Sequence, residues 1–331
     1  MANKQPFVSI IVPVFNAEKT LPVCLGALES QTYSAIELIF VNDCSQDNSL
    51  TLIEEFCSDV SHRIRVQVYS HVMNKGVAAA RNTGLNLVTG DFIYYVDADD
   101  RLEPDAISVM VDTALATKAD IVGCNWFLSF VGGERKMKQP YFADPWDAIS
   151  KILAGTMRWN LWLFLVKRTL YEDYAIRFID GMNMGEDLLI MVRLFSVAQH
   201  VAYVDRGLYH YEKSNEESLT RLYSAQHMEQ VTFHVDEVER SLKTSRFAGR
   251  VGKLIDLLKF HIKLPFLISD KNSSYRTWLS WFPEINTTSW SKRELPARLR
   301  LLRWAALNKQ FWILKFHYYL LTRVIYGVIY K

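Results

Sequence analysis

Short apolar segments rich in β-branched residues alternate with segments of helical spacing along the first 130 residues. The apolar segments lie at residues 7–14, 36–41, 64–69, 92–96 and 121–130. Between them, helices are predicted at residues 17–31, 48–56 and 76–87. This alternation is typical of an α/β protein with a mostly parallel sheet and helices on both faces.

Polar residues follow the ends of three predicted strands. Asn16 follows the first strand, Asp43 the second, and the segment from Asp97 to Asp100 the fourth. In a doubly wound sheet the carboxyl ends of the strands share one edge, so we expect these residues to converge on one crevice. The sequence has no Gly-x-Gly-x-x-Gly after the first strand and no Walker-type Gly-Lys-Ser, which disfavours a dehydrogenase and a P-loop NTPase.

Three of the four residues from Asp97 to Asp100 are carboxylates. Aspartate is a hard oxygen ligand suited to Mg²⁺ or Mn²⁺, and such ions take few protein carboxylates together with substrate phosphates. A metal-diphosphate site is one interpretation of this cluster, and a solvated turn at a strand end is the other.

The middle of the chain contains two further segments of interest. Gly185, Glu186 and Asp187 open an amphipathic helix, and the segment 209–211 has a histidine between two tyrosines. Trp159 and Trp162 are most simply core aromatics, with stacking on the apolar face of a ligand as the alternative. From about residue 224 onward the pattern is helical.

Composition and charge narrow the class of protein. Half of the 331 residues are apolar, and the four cysteines include no Cys-x-x-Cys pair, which supports neither a zinc site nor a disulfide framework and suits a reducing compartment. No secretory signal precedes the first predicted strand, so we expect a cytoplasmic protein. The net charge of +2 divides into +8 for residues 292–331 and −6 for the rest.

The basic tail from Leu295 to Lys331 interleaves Lys and Arg with Trp, Phe and Tyr. Without a recognisable nucleic-acid module, this pattern does not favour nucleic acid as a partner. A cationic amphipathic helix in a membrane interface fits the composition, and a helical subdomain packed on the rest of the chain is the alternative.

Six motifs occur in an order that identifies a family. They are VSIIVPVFN (8–16), VNDCS (41–45), NKGVAAARN (74–82), DADD (97–100), GED (185–187) and YHY (209–211). Together they resemble the inverting GT-A glycosyltransferases of the large family-2 group, over roughly residues 7–220. The resemblance implies a GT-A domain at 1–220, with nucleotide-sugar binding at 1–103 and the acceptor and catalytic part at 104–220, followed by a helical region at 221–331.

The resemblance also implies roles for donor-binding residues. Phe15 matches the position that packs against the base, Asp43 the one that accepts the uracil imide hydrogen, and Asp97 one that touches ribose or donor sugar. Pro13, Asn16, Lys75 and Arg81 are further candidates for donor binding. This chain has Asn42 and Cys44 where the family commonly has Asp-Asp-Gly around the base-reading aspartate.

The resemblance further implies residues that bind a metal ion and a residue that acts as the general base. Asp99 matches the ligand that joins Mn²⁺ or Mg²⁺ to the diphosphate, and His210 matches a position that sometimes completes the metal sphere, with a core histidine as the alternative. Asp187 matches the general base, with Glu186 in reserve. The alternative for Asp187 is a carboxylate that complements the helix dipole.

The family therefore implies transfer of a hexose or N-acetylhexosamine from a UDP-sugar, with inversion, to a glycan or lipid-linked acceptor. Synthesis of capsule, lipopolysaccharide or exopolysaccharide on the inner face of the cell membrane is the expected setting. The rival hypothesis is a catalytically inactive sugar-nucleotide-binding or scaffold protein. A nucleotidyltransferase is disfavoured because the N-terminal region lacks a glycine-rich phosphate loop with basic residues.

Overall fold

The computed structural model describes residues 5–60, 64–130, 132–213 and 224–322. The chain divides into two compact units, the first formed by residues 1–149 and 158–248 and the second by residues 150–157 and 249–331. The predicted boundary between residues 220 and 221 lies outside the described residues.

The first unit contains a nine-stranded mixed sheet with the order β3-β2-β1-β4-β8-β6-β9-β5, and β7 pairs with β6. The strands are β1 (Val8–Val14), β2 (Ile36–Asn42), β3 (Arg65–Ser70), β4 (Phe92–Tyr95), β5 (Arg101–Leu102), β6 (Ile121–Phe130), β7 (Gly133–Met137), β8 (Phe164–Lys167) and β9 (Val201–Glu212). Strands β3, β2, β1 and β4 are parallel, as predicted.

Twelve α-helices surround the sheet or follow it. They are α1 (Leu21–Glu29), α2 (Ser49–Val60), α3 (Val77–Leu87), α4 (Ala106–Thr117), α5 (Pro145–Leu153), α6 (Arg168–Asp173), α7 (Glu186–Val197), α8 (Ala225–Thr244), α9 (Leu254–Lys263), α10 (Asn272–Ser280), α11 (Ala297–Leu307) and α12 (Phe311–Tyr319). These are the helices within the described part of the chain.

Strands β1, β2 and β4 of the parallel half are buried, which explains their continuous apolar segments, whereas β3 at the edge of the sheet is mostly exposed. Every residue of β2 is buried. Helix α3 packs very close to β1, since a Cβ atom added at Gly84 would lie 2.4 Å from Cγ2 of Ile11. This close approach requires a residue without a side chain at position 84.

The second half of the sheet differs from the sequence prediction. Strand β8 runs antiparallel to β4 and β6, and β5 runs antiparallel to β9. Strand β9 extends to Glu212, well beyond the predicted segment 201–204, and an irregularity in its register with β6 occurs near Asn125. The polar residues Asp205 and Arg206 interrupt the apolar pattern there, which explains why a shorter strand was predicted.

The second unit is helical where it is described. Its buried residues include Leu258, Phe260, Lys263, Tyr275 and Trp278, and the ring of Phe260 contacts that of Trp278. None of the helices in the described ranges is both long enough and apolar enough to cross a membrane.

Candidate active site

The loops that follow β1 and β2 are joined by side-chain hydrogen bonds. The Asn16 backbone N–H donates to Ser45 Oγ at 3.1 Å, and the Gln46 N–H donates to Asn16 Oδ1 at 2.8 Å. Asn16 adopts a positive φ of 48°, which asparagine tolerates better than most residues. Beside it, the side chain of Phe15 is half exposed, so its ring is available to a ligand.

Asp43 is buried at the end of β2 and holds the loop that precedes α3. Its Oδ1 accepts the Lys75 backbone N–H at 2.8 Å, and its Oδ2 accepts the Gly76 N–H at 2.7 Å. His71 Nδ1 lies 2.6 Å from Asp43 Oδ1, and His71 Nε2 lies 2.9 Å from Thr83 Oγ1. His71 was not predicted as a site residue, because no motif includes it. The Lys75 side chain itself is exposed.

Arg81 on α3 joins three carboxylates that are distant in sequence. Its Nη1 donates to Glu186 Oε1 and to Asp187 Oδ1, each at 2.7 Å, and its Nη2 donates to Asp97 Oδ1 at 3.4 Å. The guanidinium is buried, with 5% of the side chain exposed. We call Arg81, Asp97, Glu186 and Asp187 the Arg81 cluster. Arg81 was predicted as a donor-binding candidate, but its contacts with these carboxylates were not predicted.

The Arg81 cluster has three carboxylates for one guanidinium, and this imbalance shifts its pKa values. Desolvation and the neighbouring charge of Asp187 raise the pKa of Glu186 to about 8, although Arg81 opposes the shift. Desolvation also raises the pKa of Asp97 to about 6, again against the effect of Arg81. Desolvation lowers the pKa of Arg81, but the three carboxylates more than offset this and leave its pKa raised.

Asp187 lies in the first turn of α7, which begins after Gly185 in the left-handed conformation at φ 89°. Its Oδ2 accepts the Leu161 backbone N–H at 3.3 Å, so its two oxygens contact different partners. The helix N-terminus favours a negative charge at this position. Trp162, the next residue after Leu161, is buried and stacks on Tyr209 with ring centroids 4.3 Å apart.

The segment that follows β4 presents its carboxylates in different environments. Asp100 is buried, its Oδ2 accepts the Tyr209 hydroxyl at 2.7 Å, and its Oδ1 accepts the Glu212 N–H at 2.8 Å. The Tyr209 oxygen in turn accepts the Asp97 N–H at 3.1 Å. Asp100 therefore fixes this segment to β9, while Asp97 and Asp99 are only partly buried.

His210 is buried on β9, between two carboxylates. Its Nε2 lies 2.6 Å from Glu103 Oε1, its Nδ1 lies 2.8 Å from Glu134 Oε1, and its ring stacks on Phe127. Both ring nitrogens thus have protein partners, and one partner would have to be released for His210 to bind a metal.

Within the ranges that the structure describes, no group of three or more His, Cys, Asp or Glu side chains is arranged to hold a metal ion. The carboxylates of Asp97 and Asp99 still suit a hard cation of the Mg²⁺ or Mn²⁺ type, because such ions commonly complete their coordination with water and substrate phosphates. Asp99 therefore fits the predicted metal role better than His210 does.

Comparison with known proteins gives a consistent result. The model of the family described as "Glycosyl transferase family 2" matches residues 9–187, more than half of the chain. The uncharacterized glycosyltransferase EpsJ of Bacillus subtilis (strain 168) is 31% identical over 230 residues. That alignment covers 66% of this chain and 64% of EpsJ, so the chain spans less than two thirds of the relative.

Two solved structures share the fold. S. aureus TarS 1–349 in complex with UDP-GlcNAc has a TM-score of 0.69 at 18% identity, covering 92% of this chain and 88% of TarS 1–349. The mannosyltransferase PcManGT from Pyrobaculum calidifontis, in complex with GDP-Man and Mn²⁺, has a TM-score of 0.57 at 17% identity. The match covers 95% of this chain and 84% of the PcManGT chain. The mixed sheet and its flanking helices are thus the GT-A glycosyltransferase fold, as the sequence predicted.

Proposed function

We propose that this chain, which belongs to glycosyl transferase family 2, moves a hexose or N-acetylhexosamine from a UDP-sugar to an acceptor hydroxyl with inversion. The observation that supports this most is the Arg81 cluster. It brings the candidate base Asp187 and the candidate donor-sugar contact Asp97 onto one guanidinium. A displacement at the anomeric carbon needs both functions at one place.

Asp187 is the proposed general base. In an inverting displacement it takes the proton of the acceptor hydroxyl while the nucleoside diphosphate leaves from the opposite face of the sugar. Glu186 is the weaker candidate, because desolvation and the charge of Asp187 raise the pKa of its carboxyl and so favour its protonated form. Its neutral form still accepts the Arg81 hydrogen bond, so its proposed role is to position Arg81.

The donor is proposed to bind across the loops after β1, β2 and β4. Phe15 packs on the base, while Pro13, Asn16 and Lys75 complete the nucleotide side and Asp97 contacts the ribose or sugar. Asp43 accepts two hydrogen bonds at Oδ1 and one at Oδ2. Because each carboxylate oxygen has two acceptor positions, Oδ2 retains one for the uracil imide N–H.

Asp99 is the proposed protein ligand of a Mn²⁺ or Mg²⁺ ion, with His210 as a second ligand only if it leaves Glu103 or Glu134. When bound, such an ion offsets the negative charge that develops on the departing diphosphate. The Mn²⁺ of the mannosyltransferase PcManGT supports a divalent cation in this fold.

The metal role predicts a specific loss in the Asp99→Ala variant. Its UDP affinity should no longer increase when Mn²⁺ is added, and metal-dependent transfer should be abolished. Titration calorimetry with UDP, with and without Mn²⁺, measures the effect, and Asp59→Ala, at an exposed carboxylate on α2, is the control. Full activity of the wild type in EDTA would refute the metal role.

The acceptor is proposed to be a growing glycan or lipid-linked oligosaccharide of a surface polysaccharide. The enzyme would act on the cytoplasmic side as a peripheral membrane protein, with its basic tail on an anionic membrane. The charge division between the tail and the rest of the chain supports this location.

A thermal-shift panel tests the donor class. UDP-glucose, UDP-galactose, their N-acetyl forms and GDP-mannose are each added with Mn²⁺. A ligand at ~100 times its dissociation constant stabilises the native state by about 2.7 kcal/mol, which is readily detected. We expect at least one UDP-sugar to stabilise the protein. A shift with GDP-mannose alone would contradict the UDP assignment, and binding without any UDP release would favour the inactive scaffold.

A further inference from the structure

Exposed apolar side chains are concentrated near the end of the described chain. Seven of the seventeen large hydrophobic residues that are exposed in the described ranges lie between residues 301 and 320. They are Leu301, Trp304, Leu307, Trp312, Phe316, Tyr319 and Leu320. Isolated exposed apolar residues are ordinary, but seven of them on two neighbouring helices and the residues beside them are typical of an interaction surface.

Helices α11 and α12 pack through one side and expose another. Leu302, Ala305 and Ala306 are buried on α11, and Leu314 is buried on α12. On α12 the exposed residues Trp312, Phe316 and Tyr319 recur at intervals of four and three positions, which places them on one face. The two helices thus form part of a packed helical subdomain that leaves large aromatic rings in solvent.

The charged residues of this segment of the sequence all have the same sign. Between Leu295 and Lys331 the sequence contains no Asp or Glu. Arg298, Lys309 and Lys315 are exposed among the aromatic residues, whereas Arg303 donates to the carbonyls of Asn286 and Thr288 and so supports the fold. We call the seven exposed apolar residues together with Arg298, Lys309 and Lys315 the aromatic-basic surface.

An open cavity of about 630 Å³ adjoins this surface. Its lining combines the aromatic rings with a cation, a carboxylate and a hydroxyl, from Asp270, Lys315, Phe316, Tyr318, Tyr319 and Thr322. An apolar wall beside polar groups of both signs is suited to a phospholipid headgroup and the start of its acyl chains.

We propose that the aromatic-basic surface docks on an anionic phospholipid bilayer, with its Trp, Phe and Tyr rings at the headgroup level and its Lys and Arg side chains on the lipid phosphates. Aromatic rings with a polar edge prefer that interfacial layer, and a negatively charged leaflet attracts exposed cations. This specifies the residues of the membrane contact proposed above, and its test requires neither donor nor turnover.

The test is sedimentation of the full chain with vesicles of phosphatidylcholine alone or mixed with phosphatidylglycerol. We expect binding only to the anionic vesicles, and weaker binding as the salt concentration rises, because exposed charges are screened. Each Lys or Arg near the surface contributes roughly fivefold in partitioning. Lys309→Gln with Lys315→Gln should therefore reduce binding by about 25-fold, while Lys118→Gln with Lys136→Gln, at exposed lysines of the first unit, should not.

The aromatic residues are tested separately from the charges. The double variant Trp312→Ser/Phe316→Ser should reduce vesicle binding by at least ~10-fold at every salt concentration, because it removes apolar area that the bilayer would bury. The matched control, Tyr141→Ser with Tyr174→Ser, removes two exposed rings of the first unit and should bind like the wild type. Unchanged thermal midpoints and an unchanged response to UDP would show that all four variants fold.

Three results would overturn this proposal. They are equal binding to neutral and anionic vesicles, wild-type binding by the Trp312 and Phe316 variant, and no binding by the wild type. If the wild type instead forms a dimer that the Trp312 and Phe316 variant loses, the surface joins two copies of the chain. Each of these results leaves the donor panel unaffected, so failure here is distinguishable from failure of the proposed transferase activity.

Discussion

At the scale of single residues, Arg81 is important both for the stability of the fold and for the arrangement of the candidate site. Its guanidinium is the common partner of Asp97, Glu186 and Asp187, and all four side chains are removed from most of the solvent. Removing one partner of a buried ion pair lowers the free energy of unfolding far more than removing one partner of an exposed pair. The partner that remains is then an unpaired charge in a poorly polarisable environment. Arg81 therefore contributes both to the fold and to the position of the proposed base.

Arg81→Met retains most of the length of the side chain and removes its charge. We expect the free energy of unfolding to fall by about 3–5 kcal/mol, measured by urea denaturation at pH 7.5. Arg206→Met is the matched control, because Arg206 forms an exposed ion pair with Asp105 at 2.8 Å, which typically contributes at most ~1 kcal/mol. Equal losses in the two variants would show that the Arg81 cluster has no special energetic role.

The motifs named Arg81, Asp97 and Asp187 as candidate site residues, and the structure brings these side chains together, but the motifs did not predict the contacts between them. Asp97 and Asp187 could be predicted from their places in ordered motifs. The direction of the Arg81 side chain could not be predicted, because it depends on how close α3 and α7 approach in the folded chain. For the same reason, the His71 ring that contacts Asp43 could not be predicted from a segment without a motif.

At the scale of elements, we expect alanine substitutions at two helical glycines to change the stability of the protein in opposite directions. A Cβ at Gly84 on α3 would lie 2.4 Å from Ile11 on β1, whereas a Cβ at Gly26 on α1 would meet nothing within 4 Å. Gly84→Ala should therefore destabilise the protein by about 1–3 kcal/mol through overpacking. Gly26→Ala should stabilise it by roughly 0.5–1 kcal/mol through helix propensity. Thermal or urea unfolding of both variants decides this, and stabilisation by Gly84→Ala would refute the close packing of α3 on β1.

A buried lysine makes the stability of the helical unit depend on pH. Lys263 Nζ donates to Trp281 O at 2.9 Å and to Asn286 Oδ1 at 2.7 Å, and desolvation lowers the pKa of Lys263 to about 7. Between that pH and the ordinary lysine pKa of about 10.4, the unfolded chain binds more protons than the folded one. The contribution of Lys263 to stability should therefore rise with pH across this window, by at most about 1.4 kcal/mol per pH unit, and should be constant below it.

The measurement is urea unfolding of the wild type and Lys263→Met from pH 6 to pH 10. The difference between the two unfolding free energies should shift in favour of the wild type as pH rises above 7. Lys271→Met, at an exposed lysine near the start of α10, is the control and should run parallel to the wild type. A pH-independent difference for Lys263→Met would contradict the lowered pKa.

The elements that could be predicted are those whose burial is uniform. Strands β1, β2 and β4 are continuous apolar segments because helices cover both of their faces. Strand β7 is largely exposed and polar, and β5 has two residues, so neither produces a periodic pattern. Strand β9 was predicted too short, because the irregular register beside Asn125 interrupts its alternation.

At the scale of the whole molecule, the alternating pattern of the first 130 residues fixed the parallel half of the sheet and the edge where its polar residues meet. The mixed half, in which β9 is parallel to β6 and antiparallel to β5, was not predicted, and it is this half that brings Tyr209 to Asp97 and Asp100. Such pairings join distant segments, and their register depends on bulges that hydrophobic patterns do not report. The charge pattern of the tail suggested either a membrane-interface helix or a packed helical subdomain. Helices α11 and α12 each pack through one side and expose another, and contact with a membrane stays a prediction.

The most direct test of the account is the rate of sugar transfer and UDP release by Asp187→Asn, with the UDP-sugar that gives the largest thermal shift. Asparagine retains the shape of the side chain but cannot take a proton, so turnover should fall by ~10²-fold or more while UDP affinity stays nearly unchanged. Glu186→Gln, which imitates the protonated acid, should retain most of the wild-type turnover. Wild-type turnover by Asp187→Asn, or an inactive Glu186→Gln beside an active Asp187→Asn, would contradict the assignment of Asp187 as the base.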